Sequence, residues 1–141
     1  MAENETHIWN TQDAMVAMMV AASISDADIK TIELLSIERI VNHLPLFAGY
    51  DSDRMRPVAQ TVYDLFEEEE GLDAFFGLVT DAIPERLYET AYALCCDLVA
   101  ADGRLRDEEL RFLQETRYEL NISRLNTAAI ERGARARHMV L

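Results

Sequence analysis

The chain is poor in the residues that break or cross-link a backbone: five Gly, three Pro and two Cys among 141 residues. With Ala, Leu, Met, Arg and Glu plentiful and no strand-like alternation, this composition favours helices over a sheet. The cysteines, Cys95 and Cys96, are adjacent, and neighbours on a helix point in different directions. They build neither a disulfide framework nor a zinc site, so reduced core thiols are expected. His7, His43 and His138 follow no ligand spacing. The longest strongly apolar run, Ala14–Ala22, falls well short of the roughly 20 residues that span a bilayer. The opening MAENETHIWN carries no basic stretch of a secretory signal. A soluble, cytoplasmic protein is expected. A Gly-rich phosphate loop, a GxSxG elbow, an HExxH helix and a Cys–His pair are all missing, so binding is expected and catalysis is not.

Positive charge is also scarce. Thirteen Lys and Arg face 26 Asp and Glu, for a formal charge of −13. Nucleic-acid backbone requires clustered cations, so it is excluded as a partner. Direct capture of an oxyanion is disfavoured for the same reason, whereas a cation or a basic surface suits the field. The charge is uneven: most acids precede Gly103, and Arg124, Arg132, Arg135 and Arg137 crowd the end. Those last arginines either cover an acidic body or form a separate basic face for a partner or an anionic membrane.

Half of the residues are hydrophobic, enough for one core in a chain of this length. The pattern predicts an all-α, single-domain bundle of about seven helices over residues 11–141, after a lead-in of residues 1–10 tethered by Ile8 and Trp9. Thr11 caps a first helix to about Ser23 with Met15, Met18, Met19 and Ala22 as its buried stripe. The second runs from Thr31 to Leu44, ended by Pro45. Arg54–Glu70, with Gly71 as terminator, and Leu72–Ala82 follow. Pro84 opens a fifth helix to Ala101. Asp107–Leu120 and a Ser123-capped helix to Arg137 complete the set. The run Glu67–Glu70 reads as a solvated face set against a helix C-terminus, open to a cation or a basic partner.

Two stretches stand out. In Cys96–Leu113, CDLVAADGRLRDEELRFL, a helix with Leu94, Leu98 and Ala101 inward stops at Asp102-Gly103. Leu105 pins the turn, and Asp107, Glu108 and Glu109 open a helix whose stripe is Leu110, Leu113 and the stem of Arg117. Met19–Ile37, MVAASISDADIKTIELLSI, echoes it: Asp26 matches Asp102 and Glu33 matches Glu109 at one offset of 76, with Ile29 on Leu105 and Ile37 on Leu113. These are two pseudo-symmetric helix–acidic turn–helix units. Ala101-Asp102-Gly103, Leu105 and Glu109, with SDADIKTIELLSIERIVNHLPLF earlier, resemble the TerB-like tellurite-resistance family over roughly Ala14–His138. The first copy carries Ala27 at the place of Gly103. The resemblance implies a stress-response module working beside membrane proteins, and no chemistry on tellurite.

The chemistry of the turns follows from helix ends. Asp102 faces unpaired carbonyls, so a cation there meets carboxylate and carbonyl oxygens together, as a hard metal requires. Turn-former and ligand are equal readings for it. Glu109 lies in a first turn, where a carboxylate is stabilised without a metal, and there the structural role leads. One hairpin offers too few oxygens for a metal that takes six to eight. Asp26, Glu33, Asp102 and Glu109, pooled about a pseudo-two-fold axis with water, would suit Ca²⁺, Mg²⁺ or Mn²⁺. No organic cofactor is expected. Protein partners are, with Arg132, Arg135 and Arg137 as the docking residues.

Overall fold

The computed structural model describes residues 9–24, 31–103 and 106–141, and among these the side chains of 31–33 and 102 are not described. Seven α-helices carry the described chain: α1 Thr11–Ser23, α2 Thr31–His43, α3 Met55–Phe66, α4 Gly71–Ala82, α5 Tyr88–Asp102, α6 Asp107–Glu119 and α7 Arg124–Arg137. Short 3₁₀ turns at Pro45–Phe47, Ser52–Arg54 and Glu85–Leu87 link them, and no strand occurs among the described residues. The all-α bundle expected from composition is what forms.

The bundle is built around α1. Every residue from Asp13 to Ser23 is buried, and α2, α3, α4, α5 and α6 all pack on it. A helix apolar on all sides must be enclosed, so the single stripe expected from its methionines is corrected to burial all round. Small alanines admit close neighbours while unbranched methionines fill the irregular gaps. The cap is also corrected. Asn10, not Thr11, holds the N-terminus: its side chain accepts from the Asp13 N–H at 2.7 Å, and the Asp13 carboxylate accepts from the Asn10 N–H at 3.2 Å. Thr11 instead donates its hydroxyl to the Ala82 carbonyl at 2.7 Å, tying α1 to the end of α4.

Trp9 is buried and meets Phe75 edge-on at 6.1 Å. Phe75 is the hub of an aromatic cluster with Phe66, Phe76 and Phe112. It sits on α4, in a segment whose start differs from the expected one. The third helix stops at Phe66, and Gly71 is the first residue of α4 rather than a terminator. Glu67–Glu70 therefore bridges two helices, and Glu70 stands at the N-terminal end of α4, where negative charge is stabilising. Pro84 is extended and precedes the 3₁₀ turn Glu85–Leu87, and α5 starts at Tyr88.

Helix ends elsewhere follow their residues. Gly103 takes φ +75° at the close of α5. Asn121, at φ +53°, ends α6 with the Ile122 N–H on the Arg117 carbonyl and its own N–H on that of Tyr118. Those are the two bonds of a Schellman motif. Ser123 caps α7 by accepting from the Asn126 N–H at 3.1 Å. The bounds of α2 and α6 differ by the same step, 76 residues from Thr31 to Asp107 and from His43 to Glu119. Ile37 and Leu113, paired by that step, are both buried.

Candidate functional site

Asp26 lies in 25–30, outside the described residues, as do Leu105 and the side chains of Glu33 and Asp102. What frames the two acidic turns is described. Ile24 follows the end of α1 just before the Asp26 stretch of the sequence, and Glu108 stands in the first turn of α6, six residues after Asp102. Both line one cleft of about 620 Å³, together with Glu68, Glu69, Glu115 and Arg111. Glu109 is buried, and its Oε1 accepts from the Arg106 N–H at 3.1 Å, closing the start of its own helix. That is the structural role expected for it. Among the described residues no group of three or more His, Cys, Asp or Glu is placed to hold a metal ion.

A second concavity, of about 880 Å³, opens between α6 and α7 above α5. Both walls pack on α5, and they make little direct contact with each other. Cys96, Val99 and Ala100 line it from α5, Leu110, Leu113 and Tyr118 from α6, and Thr127, Ala128 and Ala134 from α7. Leu110 is 44% exposed, which corrects its assignment to the buried stripe. The α6 helix turns Glu109, Phe112, Leu113 and Thr116 inward instead, leaving Leu110 on the groove side. Ala101 is likewise exposed.

One hydrogen-bonded set joins the three helices beside this groove. The hydroxyl of fully buried Tyr92 on α5 donates to Glu131 Oε2 on α7. Arg117 on α6 donates Nη1 to the Tyr92 oxygen at 2.9 Å and to Glu131 Oε2 at 3.1 Å. Burial, and then the bond to the Glu131 carboxylate, push the Tyr92 phenol well above its ordinary value. It stays protonated, as a donor to a carboxylate must. The last-helix arginines divide. Arg137 folds back on Asp97, with Nε at 3.1 Å and Nη2 at 2.6 Å from Oδ1, so it covers the acidic body. Arg132 and Arg135 are exposed, and Arg135 lines the groove.

Sequence reasoning passed over both polar networks. Asp13 is 1% exposed and takes Arg54 Nε at 3.0 Å and Nη2 at 2.5 Å, with the Tyr50 hydroxyl at 2.9 Å. The signal was present: Asn10 and Asp13 have the spacing of reciprocal capping residues. Nothing local points to Arg54 or Tyr50, which arrive from another turn of the chain.

The cysteines are free and buried, as expected. Burial pushes the Cys95 thiol well above its usual value and raises Cys96 to about 11. Only the thiolate is nucleophilic. At neutral pH the native protein is therefore expected to leave Ellman's reagent almost unreacted over minutes, and to release two equivalents once unfolded in guanidinium. Rapid reaction of either thiol in the native state would contradict the buried placement.

Comparison with protein-family models, with curated proteins and with solved structures finds no match to this chain, so its function is argued from its own residues.

Proposed function

We propose that the chain is a non-catalytic, TerB-like stress-response module of the tellurite-resistance type. Its paired acidic turns bind one divalent cation, Ca²⁺, Mg²⁺ or Mn²⁺, and its basic C-terminal helix docks a protein partner associated with a membrane. What carries the reading is the convergence of the flanks. Ile24, next to the Asp26 turn, and Glu108, next to the Asp102 turn, line a single cleft with Glu68, Glu69 and Glu115. The matching bounds of α2 and α6 under a step of 76 residues support two related units. Several acidic residues lining one cleft, in a chain of charge −13, favour a cation over an anion there.

Calorimetric titration with Ca²⁺ and with Mn²⁺ tests it. A saturable one-to-one isotherm is expected, lost when Asp26→Asn and Asp102→Asn are combined. No heat in the native protein, or an unchanged isotherm in the double variant, rejects these ligands.

A specific observation favours a second reading, a metal-free helical scaffold. Glu109 already accepts a backbone hydrogen bond, and Arg132 and Arg135 stand exposed on α7. Partner capture that is indifferent to chelator but lost on replacing Arg132 and Arg135 would select the scaffold over the cation-dependent module.

A further inference from the structure

We infer that the groove between α6 and α7 receives an acidic amphipathic helix from a partner protein, a proposal that rests on the partner-docking half of the reading above. Its floor and walls are apolar, from Val99, Leu113 and Ala134. Large apolar side chains gather at its edge: Leu110 at 44% and Tyr118 at 78% exposure line it. Such patches rimmed by polar groups mark protein contacts, and aromatic and arginine residues carry much of the energy in them.

Charge selects the occupant. Arg117, Arg124 and Arg135 line the groove against one acid, Glu131, and Arg117 already neutralises Glu131 at 3.1 Å. Arg124 and Arg135, both lining the groove, have no ion pair among the described residues. Acidic flanks on the incoming helix meet that pair, while like charge on a basic helix is repelled by it. The partner therefore presents apolar residues at i, i+3 or i+4, and i+7, with Asp or Glu beside them. Among the described residues of a second copy, the large exposed apolar residues outside the groove and the C-terminal residues are Leu35, Leu72 and Leu125, one each on α2, α4 and α7, which compose no such face.

The test uses two labelled helical peptides of about 18 residues with one shared Leu/Phe face, flanked by Glu in one and by Lys in the other. Fluorescence polarisation against the full chain is expected to show the Glu peptide binding at least about tenfold more tightly. Ala128→Trp, which fills the groove, and Leu110→Arg should each abolish binding without lowering the thermal midpoint. Arg124→Glu combined with Arg135→Glu should reverse the preference. Absent binding of the Glu peptide, equal affinity for both, or binding that persists in Ala128→Trp and Leu110→Arg would overturn the inference. A dimer that Ala128→Trp dissociates would overturn it too, in favour of a second copy. Partner capture that survives Ala128→Trp but fails on replacing Arg132 would sink the groove and leave docking through α7 standing.

Discussion

Replacing Gly71 with alanine is expected to prevent the chain from folding stably. Gly71 is buried as the first residue of α4. A Cβ there would stand 1.6 Å from the Leu65 carbonyl oxygen and 2.6 Å from its carbon. Both are main-chain atoms at the end of α3, so no rotamer change relieves the overlap. The two helices must separate, and the Phe66–Phe75 contact at 5.4 Å separates with them. A cost above about 4 kcal/mol belongs to this kind of clash, and the thermal midpoint by circular dichroism should fall by more than about 10 °C. Gly77, in the same helix, supplies the control. It is exposed and a Cβ there meets nothing within 4 Å, so Gly77→Ala should stabilise by about 0.5–1 kcal/mol. Equal behaviour of the two variants would contradict the packing of α3 on α4.

The second large effect is expected from Arg54→Met. It strips the cation from Asp13, a carboxylate 1% exposed. Breaking a buried pair costs about 3–5 kcal/mol, and the lower end applies because Arg54 is itself half exposed and the Tyr50 and Asn10 donors remain. The dependence on pH identifies the cause. Burial alone would raise the Asp13 pKa, but hydrogen bonds from Arg54, Asn10 and Tyr50 outweigh it and hold the group below 3.8. A depressed folded pKa contributes stability that is present above the unfolded value and is lost as pH falls through the folded one. The deficit of Arg54→Met should thus be full at neutral pH and shrink as pH falls through the carboxylate range, Asp13 protonating first in the variant, where burial is less opposed, and then in the parent. Denaturant melts across that range measure it, and a deficit independent of pH would mean that Arg54 acts through packing alone.

These two predictions mark where the sequence was legible and where it was not. Helix limits could be read because caps and stops are local: Ser123, Asn121 and Gly103 each act within a turn of their own position. Gly71 was misread because a glycine after a helical run looks the same whether it ends one helix or lets the next one approach. Only the distance to Leu65 separates the two. The α1 stripe was read too narrowly, since periodicity cannot count how many neighbours a helix has. Leu110 shows the same limit at the candidate site. Apolar residues at helical spacing read as core, whereas here α6 has two apolar sides, one on α5 and one on an open groove. The polar networks were invisible because Arg54, Tyr92 and Glu131 meet partners 41, 25 and 39 residues away. The acidic turns were legible as a repeated pattern of Asp and Glu, which states their chemistry and not their separation.

That separation is open to one direct measurement. Mn²⁺ broadens the amide resonances of residues near it, so titration of ¹⁵N-labelled protein with substoichiometric Mn²⁺ reports which segments surround the ion. Shared binding by the paired turns predicts that amides of residues 26–33 and 102–109 fade together under this substoichiometric Mn²⁺, while α7 stays sharp. Fading centred on Glu67–Glu70 alone, on one turn without the other, or on scattered surface carboxylates would contradict it.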